Sequence, residues 1–282
     1  MKKTLKRLVA IFCTTCMICI LAITSFAIES VDYTLEATVD NNSVSETLLK
    51  NGYPQSYLNC LPEEAQKMLA ESPDYEFSSA SVVYYTRDGE LLTSYDVSPN
   101  SVIPFSQIPD ADLCITLTLG KNQSGNVLAT LSYLWFTLPG DYYEDDIGLA
   151  WDDSCFWAVD NSFSKIDKYS ARIRQLDGSL GNLQSFTHSE AKRTAKSNEH
   201  GITWSADLYK PSIASNKVVE SYSGSGQILL TPQKSNFTTR LFATYVHHKS
   251  TVSYSLEIPR VGVNFSAPAN MPSMALQKTY TY

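Results

Sequence analysis

The sequence lacks the short motifs by which most enzymes and nucleotide-binding proteins are identified. It contains no G-x-S-x-G, H-E-x-x-H, P-loop or dinucleotide-binding pattern. Lys and Arg are outnumbered by Asp and Glu, 22 to 29, and they are not clustered. Because nucleic acids bind clustered basic side chains, we expect no nucleic-acid partner. Long apolar runs are also scarce, since a single one occurs, near residue 1.

That apolar run belongs to a segment with the three parts of a secretory signal peptide. Basic residues stand at positions 2, 3, 6 and 7, the run extends from Leu8 to Ile23, and Thr24-Ser25-Phe26-Ala27 offers small residues before a cut after Ala27. The run is short for a membrane span of about 20 residues, which disfavours an uncleaved anchor. We therefore expect residues 1–27 to be removed and the protein to be secreted, with no stable membrane span after cleavage.

Removal of this segment changes both the charge and the cysteine content. The segment carries four of the basic residues and none of the acidic ones, so the mature chain has a net charge of −11. Three of the six cysteines also lie in it, and Cys60, Cys114 and Cys155 remain. Three cysteines allow one disulfide or none, and the sequence leaves open whether any two of them pair. A disulfide-rich scaffold is excluded.

After the signal, the chain begins with a polar stretch and a short helix. Residues 28–50 are polar with weak periodicity, which predicts a flexible lead-in. Pro62-Glu63-Glu64 is a typical helix start and Ser72-Pro73 a typical stop, with apolar residues on one face in between. We predict one short N-terminal helix here.

Downstream, apolar residues alternate with polar ones, which predicts antiparallel strands. Asp88-Gly89 predicts a β-hairpin, and Gly224-Ser225-Gly226 is interpreted as a turn. The polar residues 184–200 are interpreted as a mobile loop or a short surface helix. The predicted fold class is mainly β, antiparallel and sandwich-like, with the one short helix. The predicted strands are 77–87, 90–97, 113–119, 127–135, 147–159, 165–176, 202–209, 217–222, 227–230, 238–247, 252–258, 261–265 and 275–282.

Turn residues and acids at Leu138-Pro139-Gly140-Asp141 interrupt the β pattern. We take this point as the best internal boundary. It separates a predicted helix plus β-sandwich-like domain over 51–140 from a predicted all-β domain over 141–282. The length suits one large or two small domains, and the choice stays open.

Residues 141–160, DYYEDDIGLAWDDSCFWAVD, combine acidic and aromatic side chains. Carboxylates are the preferred ligands of hard cations, so Asp145 and Asp146 are candidate Ca²⁺ ligands, with Asp152 and Asp153 after them. The spacing does not match an EF-hand loop, and a solvated acidic edge is the simpler interpretation. We expect no cofactor, with Ca²⁺ as the alternative.

The same stretch contains a candidate surface for sugar stacking. Trp151 and Trp157 are six residues apart, which places them on one face of a regular strand. Together with Asp152 and Asp153 as acceptors for sugar hydroxyls, they are the candidate ligand-binding residues. The alternative is that both tryptophans are ordinary core residues of a sandwich.

No catalytic residue is predicted. Cys155 with His247 or His248 would resemble a thiolate–imidazole pair, but acids flank Cys155 and disfavour a thiolate, so we expect a structural thiol. His247 and His248 are adjacent in a predicted strand and point to opposite faces, so they cannot both bind one metal ion. We expect one of them to be buried and the other to lie on the surface.

Two segments, NGYPQSYLNCLPEEAQKMLAESPDYEF and LFATYVHHK, resemble uncharacterised secreted proteins of Gram-positive bacteria. This resemblance implies an exported protein and brings no site residues with it. We expect a non-enzymatic binding or interaction protein whose partner is a glycan or a protein of a cell surface. The alternatives are an extracellular carbohydrate-binding module, a membrane-acting β protein and a secreted hydrolase.

Overall fold

The computed structural model describes residues 34–35, 41–103, 110–139, 144–190, 196–198, 200–207, 216–248 and 273–282. The predicted signal peptide and the predicted strands 252–258 and 261–265 lie outside these residues. The described residues form three helices and fourteen strands, and none of these helices is long and apolar enough to cross a membrane. The helices are α1 (Asn41–Lys50), α2 (Gln55–Leu58) and α3 (Glu63–Ala70). The strands are β1 (Thr34–Leu35), β2 (Glu76–Tyr85), β3 (Leu91–Val97), β4 (Leu113–Lys121), β5 (Val127–Trp135), β6 (Glu144–Ala150), β7 (Phe156–Ala158), β8 (Ser164–Arg174), β9 (Leu180–Glu190), β10 (Lys196–Asn198), β11 (Gly201–Asp207), β12 (Lys217–Pro232), β13 (Thr238–Val246) and β14 (Ser273–Thr281).

The strands assemble into two antiparallel sheets. Among the described residues, the large sheet holds nine strands in the order β1-β9-β8-β12-β5-β4-β2-β3, with β7 also paired to β12. The small sheet holds five described strands in the order β10-β11-β6-β13-β14. The chain is therefore mainly β, antiparallel and sandwich-like with a short N-terminal helix, and the predicted fold class is confirmed.

Both faces of the large sheet are covered at its central strands β4 and β5. Successive side chains of a strand point to opposite faces, so the two sides of β4 and β5 can be followed separately. On one side, Trp135 of β5 contacts Tyr245 of the small sheet. On the other side, Thr118 of β4 contacts the hydroxyl of Tyr57 in α2. The molecule thus has three layers, in the order helices, large sheet and small sheet.

The helix α3 forms where the sequence predicts it. Pro62 precedes it in an extended conformation, two acids occupy its first turn, and the helix ends at Ala70. Ala65, Met68 and Leu69 are buried against the large sheet. So short a helix is not stable alone, and burial of this face against the sheet stabilises it.

A row of hydroxyl side chains lies on the helix-facing side of the large sheet. Thr118, Thr130, Ser132 and Ser225 are all buried there. Ser132 Oγ and Ser225 Oγ are 3.0 Å apart, and Ser225 Oγ donates to the carbonyl of Leu131 at 3.3 Å. Ser132 and Ser225 thus have partners inside the protein, whereas the Thr130 hydroxyl has none within the described structure. Ser and Thr at alternate positions therefore do not mark a solvated face here.

Glu64 of α3 is also buried at this interface, at 2% exposure, where it contacts Ser223 of β12. Burial raises the pKa of Glu64 to about 7, although the Ser223 hydrogen bond and the Lys168 charge act in the opposite direction. Its Oε1 atom has no hydrogen-bond partner within the described structure. The ionised form of Glu64 is therefore unfavourable in the folded protein.

The prediction of a turn at Gly224–Gly226 is wrong. These residues lie inside β12, which continues without a break from Lys217 to Pro232. Glycine is required there because neighbouring side chains fill the space above the strand. A Cβ at Gly224 would lie 2.6 Å from Asp167 Oδ1, and one at Gly226 would lie 2.6 Å from the Trp204 ring. The two glycines permit close approach rather than a change of direction.

Other predicted element boundaries also differ from the structure. The predicted strand 147–159 is interrupted, since β6 ends at Ala150 and β7 begins only at Phe156. Residues 184–190, predicted as a loop or surface helix, belong to β9. Residues 41–50, within the predicted flexible lead-in, form α1. The polar composition of residues 184–190 favours a loop on its own, and pairing with β8 decides that they form a strand.

The predicted boundary at Leu138–Asp141 falls between β5 and β6. Strand β12, which follows this point in the chain, pairs with β5, which precedes it, over Tyr222–Leu230. Residues 34–282 form one compact unit. Strands from both sides of the predicted boundary therefore share one sheet.

We expect Glu64→Gln to stabilise the folded protein at neutral and alkaline pH but not at acidic pH. The pKa of Glu64 is about 7 in the folded state, against an ordinary value of 4.5. The contribution of Glu64 to the free energy of unfolding is therefore most favourable below about pH 4.5 and is lost as the pH rises through about 7. At about 1.4 kcal/mol per pKa unit, Glu64→Gln should raise the free energy of unfolding above pH 7 by about 3 kcal/mol. Urea unfolding over a pH series measures it.

The neighbouring variant Glu63→Gln is the matched control. Burial alone would raise the pKa of Glu63, but Lys168, 2.7 Å from its carboxylate, together with Lys67 leaves that pKa lowered. Because Glu63 is partly exposed, losing this pair should cost under about 1 kcal/mol, with the opposite pH dependence. If Glu64→Gln is no more stable than the wild type at alkaline pH, this contradicts the assignment of Glu64 as a buried, neutral carboxylic acid.

Candidate functional site

Asp145 of β6, a predicted Ca²⁺ ligand, is the centre of a densely hydrogen-bonded group of acid–base side chains among the described residues. It is fully buried, at 0% exposure. The Tyr245 hydroxyl donates to Oδ2 at 2.5 Å, and the backbone N–H of His248 donates to Oδ1 at 3.0 Å. His247 Nδ1 lies 3.0 Å from each carboxylate oxygen. Donors from the end of β13 and the residues after it therefore surround this carboxylate.

Tyr245 links Asp145 to the large sheet. Trp135 Nε1 of β5 donates to the Tyr245 hydroxyl at 3.0 Å, and the two rings meet edge to face at 6.1 Å. Burial, followed by the charge of Asp145, raises the pKa of Tyr245 well above its ordinary value. The hydroxyl therefore stays protonated and donates a hydrogen bond to the carboxylate. We call Asp145, Tyr245, His247 and Trp135 the Asp145 cluster.

A buried ion pair lies beside this cluster. Lys165 Nζ of β8 is 3.1 Å from Asp167 Oδ2, and it donates to the carbonyl of Ser205 in β11 at 2.6 Å. The Tyr133 hydroxyl donates to Asp167 Oδ1 at 3.0 Å. The Tyr133 ring lies 5.1 Å from the ring of Tyr245. Polar contacts therefore extend through the space between the two sheets.

Asp146, the other predicted Ca²⁺ ligand, points away from Asp145 because the two are neighbours in a strand. His248 Nε2 lies 3.1 Å from Asp146 Oδ2, so the two aspartates contact the side chains of different histidines. Within the described residues, no group of three or more His, Cys, Asp or Glu side chains is placed to hold a metal ion.

The prediction that one of His247 and His248 lies on the surface is wrong, because both are buried. Strand β13 ends at Val246, so the strict alternation on which that prediction depends no longer applies to them.

Asp152 and Asp153, predicted as ligand contacts, lie in the turn between β6 and β7. Asp152 Oδ1 accepts the N–H of Ser154 at 2.9 Å, and its Oδ2 accepts the Cys155 thiol at 3.4 Å. Asp153 Oδ2 lies 3.3 Å from His200 Nδ1. These contacts hold the turn and thereby fix the position of β7.

Trp151 and Trp157 do not form the expected shared platform. Trp151 is fully buried, at 0% exposure, whereas Trp157 of β7 is 63% exposed. The turn at 152–155 breaks the regular strand on which the shared face depends. Of the two, only Trp157 is accessible to a ligand. In the strand pairing it stands opposite Thr231, at the end of β12.

The three cysteines of the described chain are free thiols. All of them are buried, and the Tyr84 hydroxyl donates to Cys60 Sγ at 3.5 Å. Burial raises the pKa of Cys60 above its ordinary value. This makes Cys60 an unreactive core side chain rather than a nucleophile.

Sequence reasoning did not find the buried partners of Asp145 or the Lys165–Asp167 pair. Lys165 and Asp167 are two residues apart in a strand and so share a face, which is a weak signal for an ion pair. That signal becomes informative only when the face is known to be buried. Trp135 and Tyr245 are 110 residues apart, and no local pattern links them.

We expect Tyr245→Phe to destabilise the protein by about 3 kcal/mol, because it removes a hydrogen bond to a buried carboxylate and leaves Trp135 Nε1 without an acceptor. Thermal or urea unfolding measures this loss. Tyr280→Phe is the matched control, since the Tyr280 hydroxyl is buried without a hydrogen-bond partner within the described structure. Its removal should leave stability unchanged or slightly raised. Equal losses in the two variants would refute the assigned role of Tyr245.

A scan against known protein-family models finds no match, and no curated protein matches the chain. Among solved structures, the chain is similar to one named BspA_C_mut, with a TM-score of 0.25, 10% identity, and coverage of 47% of this chain and 50% of that one. A second, BspA_C_WT, has a TM-score of 0.23 and 11% identity, with coverage of 54% and 59%. The chain thus spans about half the length of these structures. Similarity this low carries no inference about function.

Proposed function

We propose that the protein is an exported, non-enzymatic, β-rich binding protein and that Trp157 is the centre of its ligand contact. The observation that carries the proposal is a contrast among the four tryptophans. Trp135, Trp151 and Trp204 are buried in the core, whereas Trp157 is largely exposed. Exposed tryptophan is enriched at the centres of binding interfaces, because covering its large apolar surface is favourable.

The state of the acid–base side chains supports a non-enzymatic role. Asp145, Asp167 and His247 are buried, and their polar atoms already contact other side chains of the same chain. A general acid or base has to reach a substrate within hydrogen-bond distance. Asp145 instead binds Tyr245 and Asp167 binds Lys165, and these two partners contact the opposite sheet through Trp135 and the carbonyl of Ser205.

The surroundings of Trp157 favour a carbohydrate as the ligand. We call Trp157, Thr231, Lys234 and Ser154 the Trp157 edge. Lys234 Nζ lies 3.4 Å from Ser154 Oγ, and Thr231 stands opposite Trp157 in β12. An apolar ring with a threonine opposite it in the strand pairing suits a sugar, which presents both C–H faces and hydroxyls.

We expect the mature wild-type protein to be retained on at least one insoluble polysaccharide among cellulose, chitin and peptidoglycan. Trp157→Ala should abolish retention and change the free energy of unfolding by less than about 0.5 kcal/mol, because the side chain is exposed. Leu176→Ala, an exposed apolar residue in the β8–β9 connection, is the matched control and should bind as the wild type does.

Two further results complete this test. Trp151→Ala should lose about 3–5 kcal/mol of stability, as expected for a buried tryptophan, which separates the roles of the two side chains. An exposed tryptophan also suits a membrane interface, so dye-loaded liposomes are tested in parallel. Dye release without retention on any polysaccharide would replace the proposed function by a membrane-acting one.

A further inference from the structure

Two of the three thiols lie on the two sides of the interface between the helical layer and the large sheet. Cys60 belongs to the helical layer, between α2 and α3. Cys114 of β4 shares a face with Thr118, four residues further along the strand, and Thr118 contacts Tyr57 of α2. Both cysteines are buried in the same apolar cluster. The fold therefore brings together two thiols that are far apart in the chain.

The hydroxyl of Tyr84 contacts both sulfur atoms. Tyr84 of β2 stands opposite Cys114 in the strand pairing. Its hydroxyl donates to Cys60 Sγ at 3.5 Å and also makes a hydrogen bond with the Cys114 thiol. Burial, followed by the charge that Cys60 would carry, raises the pKa of Cys114, as expected for two thiols that lie close together. One oxygen atom thus bridges the two thiols.

The third thiol, Cys155, has different neighbours. Within the described residues, its side-chain hydrogen bonds are with Asp152 and Ser154, in its own turn before β7. It does not belong to the apolar cluster that contains the other two cysteines. Of the three pairs that the sequence allows, the structure therefore favours Cys60 with Cys114.

A bond between these two sulfurs has to form while the chain folds. Burial raises the pKa of both thiols in the folded protein, so neither supplies the thiolate that attacks a disulfide. In the unfolded chain both thiols are open to solvent and have ordinary pKa values. An exported chain passes through this state outside the reducing cytoplasm, where disulfides form and persist.

We propose that Cys60 and Cys114 form a disulfide as the exported chain folds, and that this bond joins the helical layer to the large sheet. The structure describes the reduced state of the pair. Because Cys60 lies between α2 and α3, one bond fixes both of these short helices, which are not stable alone. The bond also closes a loop of about 55 residues, which lowers the entropy of the unfolded chain. The inference uses the export of the chain and is independent of the ligand contact at Trp157.

The reaction is a thiol–disulfide exchange with an external disulfide, for which oxidised glutathione is the probe. One cysteine thiolate attacks a glutathione sulfur, forms a mixed disulfide and releases one glutathione thiolate. The second cysteine then attacks the protein sulfur of the mixed disulfide and releases the other glutathione thiolate. The protein thus loses two protons and two electrons, and oxidised glutathione takes them up to give two molecules of glutathione.

Refolding of the reduced, unfolded mature protein in a mixture of reduced and oxidised glutathione tests the proposal. Thiol titration of the refolded protein in denaturant should find one free thiol instead of three. Peptide mapping by mass spectrometry without reductant should find Cys60 linked to Cys114, with the mass of two hydrogen atoms lost. The oxidised protein should melt about 10 °C above the reduced one, because its unfolded state is constrained.

Cys155→Ser is the matched control and should form the same bond, with no free thiol left. Cys114→Ser should keep two free thiols and show equal melting temperatures with and without reductant. Three free thiols in the refolded wild type, a lasting mixed disulfide with glutathione, or a bond that includes Cys155 overturns the proposed pair. A Cys60–Cys114 bond without a rise in melting temperature overturns its role in joining the two layers.

A second measurement covers the case in which the unfolded chain does not refold. The full chain, with residues 1–27 attached, is then secreted from a bacterial host, and the thiols of the secreted protein are titrated and mapped in the same way. Three free thiols there also overturn the proposal. Retention on polysaccharides is measured separately, so the loss of the disulfide proposal leaves the Trp157 contact standing.

Discussion

The buried carboxylate of Asp145 is the constraint on which the arrangement of the two sheets depends. A carboxylate out of contact with water costs several kcal/mol unless donors surround it. Its donors come from Tyr245, His247 and the backbone of His248, and Tyr245 is itself fixed by Trp135 of the large sheet. Asp145 and these donors belong to the small sheet and the residues directly after it, so a displaced small sheet would lose the Trp135 hydrogen bond that fixes Tyr245.

The Lys165–Asp167 pair adds a second constraint of the same kind, because Lys165 reaches across to a carbonyl of β11. Polar contacts between sheets are directional, whereas apolar packing tolerates small displacements. These polar contacts also occupy buried side chains that could otherwise act as acids or bases. Of the four tryptophans, Trp157 alone stays open to solvent.

Sequence periodicity predicted the local elements well where one strand follows another in a hairpin. Strands β4 and β5 lie where alternation places them, and α3 begins after Pro62. Periodicity could not reveal that β4 is covered on both faces, because a hydroxyl facing solvent and a hydroxyl facing a helix have the same sequence pattern. For the same reason the glycines inside β12 resemble a turn until the side chains that fill the space above them are known.

The sequence by itself determined the fold class, the short helix and the strand directions, since these follow from neighbours within a few residues. It also directed attention to the acidic aromatic stretch, where Asp145 and Trp157 both lie. Only the tertiary structure decided that Asp145 is enclosed, that Trp151 is buried and that Trp157 is exposed. The physical reason is that exposure depends on which residues cover a strand, and these can lie a hundred or more positions away, as Tyr245 and His247 do from Asp145.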